Sequence, residues 1–139
     1  MHYFDASALV KRYVREKGSA KVRRLLSSDA PATSRLSELE VASALQRLTR
    51  EGAVSRTDRD RALAALDTDL PSIVVVELTG ELCARARVLL QQHPLRAGDA
   101  IQLASCLYLQ EQLGEQIPMV AFDDRLVAAT RLEGLRVTA

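Results

Sequence analysis

The chain has 139 residues, 47% of them apolar, a net charge of +1 and no tryptophan. This suits one domain spanning residues 1–139 with a core of Leu, Val, Ile and Ala, and it excludes a polycation. No apolar run approaches the roughly 18 residues a membrane-spanning helix needs, and the N-terminus lacks a signal-peptide pattern, so a cytoplasmic protein with no membrane partner is expected.

Residues 2–4 are a short strand, closed by Asp5. Residues 6–14 read as a helix, and residues 18–27 as a second one after the Lys17-Gly18 break. Residues 31–34 are a weak strand. Residues 36–51 form a helix with an apolar stripe at Val41, Ala44, Leu45 and Leu48, ended by Gly52. Ser55 caps a charged helix over 55–67. After Pro71, residues 72–76 give the clearest strand. A helix over 79–92 stops before Pro94. Residues 99–113 are apolar nearly all round, which predicts a buried helix closed by Gly114. A strand over 118–122, a helix over 124–132 and a last short strand over 135–137 complete the chain. The alternation predicts an α/β domain of three layers, with a mainly parallel, roughly five-stranded sheet between helices.

Cys83 and Cys106 lie inside apolar helical patterns and belong to no CxxC pair, so both are expected to be buried, reduced thiols. His2 and His93 match no zinc spacing, so any metal must be held by oxygen, as Mg²⁺ or Mn²⁺ is. Residues 11–24 carry seven basic side chains against one Glu. Such a strip is either a pair of solvated helix faces or a footprint for phosphate.

Topology brings four acids to one edge. Asp5 follows the first strand and Asp123 the fourth, at equivalent places. Glu40 lies early in the helix after strand two. Asp99 opens a helix that runs back toward the start of the fourth strand, so its N-terminus returns to the same edge. Open α/β sheets bind ligands there. Singly, Asp5, Asp99 and Asp123 are each expected as helix N-caps and Glu40 as a solvated helix residue. Together the four repel one another unless a cation neutralises them or some keep their protons. Glu38 competes with Glu40, because both flank the apolar stripe and periodicity does not choose between them.

The same residues resemble the PIN-domain family. The run from Met1 to Val10, an apolar strand followed by Asp5-Ala6-Ser7, resembles the family's opening. Ser37-Glu38-Leu39-Glu40-Val41-Ala42 is similar to its second block, and by that match Glu40 is the acid. Leu95-Arg96-Ala97-Gly98-Asp99-Ala100 resembles the third block and Phe122-Asp123-Asp124-Arg125-Leu126 the fourth. The resemblance covers essentially the whole chain. The absence of an appended domain looks most like the VapC toxins of toxin–antitoxin pairs. One departure is Ala121, where the family often has a hydroxyl two residues before the fourth acid. Asp124 either compensates for it or caps the last helix.

The resemblance implies a PIN-like fold and hydrolysis of RNA with one or two Mg²⁺ or Mn²⁺ ions. Asp5 and Asp99 would be direct ligands, with Glu40 and Asp123 completing the set. Ser7 would hold Asp5 or a water at the ion, or serve only as a first-turn hydroxyl. Lys11 and Arg12 would engage substrate phosphate or an acidic residue of a partner. A cognate antitoxin and a homodimer are also implied. The exposed-looking Leu39 is consistent with a contact surface. No built-in lid is legible, so inhibition is expected from outside.

A PIN nuclease outside any toxin pair is the nearest alternative. A phosphoacceptor receiver domain needs a late lysine, and this chain has none after Lys21. An Asp-nucleophile phosphatase would show Asp-x-Asp where Asp5-Ala6-Ser7 stands. A non-catalytic binding module would be expected to have lost acids, and all four are present.

Overall fold

The computed structural model describes residues 1–138. Five strands form one sheet: β1 (His2–Phe4), β2 (Pro31–Ser34), β3 (Val74–Val76), β4 (Met119–Val120) and β5 (Val137–Thr138). Their order is β3-β2-β1-β4-β5, and every neighbouring pair is parallel. The chain thus leaves β1 to one side and later returns to its other side. This reversal opens a crevice at the C-terminal edge, beside β1.

The helices are α1 (Ala6–Tyr13), α2 (Ser19–Ser28), α3 (Arg35–Arg50), α4 (Arg56–Asp69), α5 (Gly80–Gln92), α6 (Ala97–Leu113) and α7 (Asp124–Leu132). They cover both faces of the sheet because alternate strand residues face opposite ways. Tyr3, Met119 and Ala121 pack with Leu82, Leu89, Leu103, Leu109 and Leu126 from α5, α6 and α7. Phe4 and Val120 pack with Leu9, Val22, Val41, Leu45 and Leu66 from α1 to α4. The stripe expected on α3 buries Val41 and Leu45, and α6 is buried along most of its length.

The structure departs from expectation at several points, among them the last strand, expected over 135–137 and found at Val137–Thr138. Residues 70–72 form a short 3₁₀ turn, because Pro71 supplies no N–H to a strand ladder, and β3 begins only at Val74. The fourth strand pairs over only two residues, so Ala121 and Phe122 are free to bend toward α7. Cys83 is exposed, against expectation, while Cys106 is buried. The apolar face of α5 runs through Leu82, Ala86 and Leu89, and Cys83 lies off that line. Burial pushes the Cys106 thiol pKa up. Among the described residues, no helix is long and apolar enough to cross a membrane.

Candidate active site

Phe4 ends β1 and Ala6 begins α1, so Asp5 occupies a strand edge and a helix N-terminus at once. Its backbone N–H donates to the Val120 carbonyl at 3.2 Å. Its Oδ1 accepts the Ala8 N–H at 2.9 Å, the bond that starts α1. Ser7 Oγ stands 2.8 and 2.9 Å from the two Asp5 oxygens and accepts the Phe122 N–H at 3.3 Å. One hydroxyl therefore joins Asp5 to the segment leading to Asp123. The Asp5 residue is only 4% exposed. Burial, with the charges of Glu40 and Asp99, pushes its pKa up to about 7 despite the Ser7 and Ala8 bonds that pull it down.

Glu38 and Glu40 part company in the structure. Glu38 accepts from Arg35 Nη1 at 3.0 Å on the surface. Glu40 turns inward, and its Oε1 accepts from Gln102 Nε2 at 3.0 Å. Burial, then Asp99, raises its pKa, against the pull of the Gln102 bond. Gly98 leaves the carboxylate uncovered: a Cβ there would lie 3.4 Å from Glu40 Oε2.

Asp99 does not precede its helix as expected. Helix α6 starts two residues earlier, at Ala97, and Asp99 belongs to its first turn. The reason is local, since the Asp99 carboxylate reaches back to the Arg96 N–H at 3.4 Å and closes the cap. Burial and the Asp123 charge raise its pKa. Asp123 is the N-cap of α7, its Oδ1 accepting the Leu126 N–H at 2.9 Å. Ala121 is buried and offers no hydroxyl. Asp124 sits exposed in the first turn of α7, and among the described residues its side chain has no hydrogen-bond partner.

Charge repulsion links Asp5 to Glu40 and Asp99, Glu40 to Asp99, and Asp99 to Asp123. Among the described residues, none of the four takes part in an ion pair. Nor are three of the chain's His, Cys, Asp or Glu side chains gathered closely enough, among those residues, to form a ready-made ligand shell. The four-carboxylate cage expected from sequence is thus an arrangement of neighbours rather than a preformed cage. Its chemistry still fits a hard divalent cation. The donors are all oxygen, they repel one another, and only Asp99 feels an opposing pull, from the charges of Arg96 and Arg125.

The PIN domain family model matches residues 2–132. The chain belongs to the PIN domain family. It is similar to ribonuclease VapC46 of Mycobacterium tuberculosis, with 35% identity over 137 residues covering 99% of this chain and 95% of that protein. Ribonuclease VapC45 of the same species is 32% identical over 136 residues, covering 97% of this chain and 92% of the relative. Among solved structures, the fold is like that of M. tuberculosis VapC20, a Sarcin-Ricin loop cleaving toxin. That match has a TM-score of 0.68 at 21% identity and covers 93% of this chain and 95% of the other.

In this PIN-domain chain Lys11 and Arg12, the cations expected to meet phosphate, already have carboxylate partners. Lys11 Nζ bonds Glu16 at 3.0 Å and lies 4.6 Å from the centre of the Phe122 ring. Gly18, at φ +94°, lies under that ring, where a Cβ would stand 3.0 Å from it. Arg12 Nε donates to Asp69 at 2.7 Å, and the Tyr13 hydroxyl donates to the same oxygen at 2.8 Å.

Sequence reasoning missed Gln102, which bonds Glu40, and Tyr3, Ser37 and Thr33, which stand behind Gln102. One signal was available. Gln102 is a polar residue in the middle of a helix that is otherwise apolar nearly all round, and such a residue must find buried partners.

Proposed function

We propose that this PIN-domain protein is a toxin endoribonuclease that hydrolyses RNA phosphodiester bonds with Mg²⁺ or Mn²⁺ held by Asp5, Glu40, Asp99 and Asp123. The observation that carries the metal assignment is Asp5, a nearly buried carboxylate beside two other carboxylates with no cation paired to any of them. When bound, the ion would supply positive charge that acidifies a water and stabilises the attacked phosphate.

The chain's own residues do the rest. Ser7 and the Ala8 N–H hold Asp5 in one orientation. Asp99's cap bond is long at 3.4 Å, so its carboxylate is readily redirected into the crevice. Asp123 uses only Oδ1 in its cap, which leaves Oδ2 for the site. Lys11 and Arg12 engage RNA phosphate by exchanging Glu16 and Asp69 for the backbone.

A cognate antitoxin restrains the enzyme in the cytoplasm. It places a cation, best an arginine, among the four acids, where bidentate bonds to carboxylate replace the ion's charge. The relatives named as VapC ribonucleases and a fold like that of a toxin–antitoxin complex from Klebsiella pneumoniae support this reading. The enzyme works as a homodimer.

The test has two parts. Purified protein is expected to cleave RNA with Mg²⁺ or Mn²⁺ and to stop in EDTA; undiminished cleavage in EDTA would remove the metal from the proposal. Expression is expected to arrest bacterial growth, with relief by Asp5→Asn or by the protein of the adjacent reading frame. Harmless high-level expression in several hosts would remove the toxin role and leave the nuclease.

A further inference from the structure

Behind Glu40 lies a closed chain of hydrogen bonds whose direction can be worked out from one end. Thr33 Oγ1 is 2.6 Å from the Phe4 carbonyl oxygen and 2.7 Å from Ser37 Oγ. A carbonyl can only accept, so the single Thr33 hydroxyl hydrogen goes to Phe4. Ser37 must then spend its own hydrogen on Thr33, and its oxygen is left only to accept.

Gln102 Nε2 is 2.9 Å from Ser37 Oγ, so the amide has to present its NH₂ group to that side. At the opposite end, the Tyr3 hydroxyl donates to Gln102 Oε1 at 2.7 Å. The Ser37 end and the Glu40 carboxylate therefore select one orientation of the amide, and the Tyr3 hydroxyl supplies the donor that this orientation needs. The second hydrogen of the NH₂ group faces Glu40 Oε1 at 3.0 Å. Tyr3, Thr33 and Ser37 are wholly buried and Gln102 nearly so, which shuts water out of the chain and makes an unpaired member costly. Glu40 Oε1 is thus held from inside, while Oε2 has no hydrogen-bond partner among the described residues and lies beside Gly98, 3.4 Å from where a Cβ would stand.

We propose that Gln102, oriented by Tyr3 and by the Ser37–Thr33–Phe4 chain, is a positioning residue that aims Glu40 Oε2 into the acidic crevice to receive the divalent ion. This rests on the metal reading above. The network starts at the backbone carbonyl of the residue before Asp5, so it fixes Glu40 relative to Asp5 and not merely relative to its own helix. Partners that orient a metal ligand in this way typically change metal affinity by about 10–100-fold.

The test measures Mn²⁺ affinity of the full chain by calorimetry, together with thermal stability in EDTA. Gln102→Met keeps the volume and removes both donors. It is expected to weaken Mn²⁺ binding at least about tenfold. In a Glu40→Gln background the same change is expected to add almost nothing, because the carboxylate it aims is gone. Tyr3→Phe, which leaves Gln102 Oε1 without its donor while Ser37 still orients the NH₂ group, is expected to weaken binding in the same direction and by less. If Gln102→Met does not fold, Tyr3→Phe with and without Glu40→Gln decides the matter. Unchanged Mn²⁺ affinity in the folded variants, or losses that simply add to that of Glu40→Gln, would overturn the positioning role and leave the metal site standing. A wild-type chain that binds no Mn²⁺ would overturn the metal reading itself and this inference with it.

Discussion

Helix α1 meets an aspartate at each end, and the two live under opposite conditions. At its N-terminus Asp5 is almost buried, its neighbours Glu40 and Asp99 are acidic, and its pKa is pushed up to about 7 by burial and then by those charges. At its C-terminus Asp69 also loses some solvation, but hydrogen bonds from Arg12 and Tyr13 outweigh that loss and hold its pKa below the usual carboxylate range. The second arrangement is self-sufficient and joins α1 to α4. The first has no salt-bridge partner among the described residues, and on the proposed function an added cation would complete it.

The largest effect is expected at the unpaired end. Asp5→Asn retains the bond from Ala8 and a partner for Ser7 while removing one charge. It is expected to lower RNA cleavage by at least about a hundredfold, as loss of an electrostatic group in a catalytic site does. Metal-free stability gives an independent check. An aspartate has a pKa of about 3.9 when unfolded. Because Asp5 is raised in the fold, the native state binds more protons between that value and about 7. Stability of the metal-free protein is therefore expected to fall as pH rises through that window. Asp5→Asn should flatten the profile and stabilise the protein at neutral pH. A variant with unaltered turnover, or an unaltered pH profile, would make Asp5 no different from Asp69.

A smaller contrast separates the two glutamates of α3. Glu40→Gln is expected to reduce cleavage about tenfold or more and to weaken Mn²⁺ binding. Glu38→Gln only loosens an exposed pair with Arg35, and it is expected to leave both within about twofold, since such pairs are worth roughly 0.2–1 kcal/mol. Equal effects in a cleavage assay would reject the assignment of Glu40.

The smallest effects are expected at the paired end. Lys11→Gln and Arg12→Gln, made in the inactive Asp5→Asn chain, are each expected to reduce the slope of log K against log salt for RNA binding by roughly 0.7. The loss of stability from breaking Arg12–Asp69 should stay within about 0.2–1 kcal/mol, because Arg12 is substantially exposed. A slope that does not move would leave these cations with a purely structural function.

Much of this was legible in the order of residues. Apolar runs, helical stripes and Gly, Pro and capping residues indicated the strand–helix order, with the last strand found two residues later than expected. The placement of Asp5 followed as well, since it directly succeeds β1 and caps α1; Asp123 caps α7 as expected, though Ala121 and Phe122 separate it from β4. What the sequence could not decide was side-chain direction across elements. On a helical wheel Glu38 and Glu40 both flank the apolar stripe; the family resemblance chose Glu40, and in the structure the approach of Gln102 from α6 separates the two. Arg12 looked like a free cation because its partner, Asp69, lies 57 residues away along the chain. Cys83 looked buried because an apolar helix pattern does not mark which face meets the core. In each case the answer depends on which groups from distant parts of the chain share a low-dielectric space. That is set by the packing of the helices on the sheet and has no local signature in sequence.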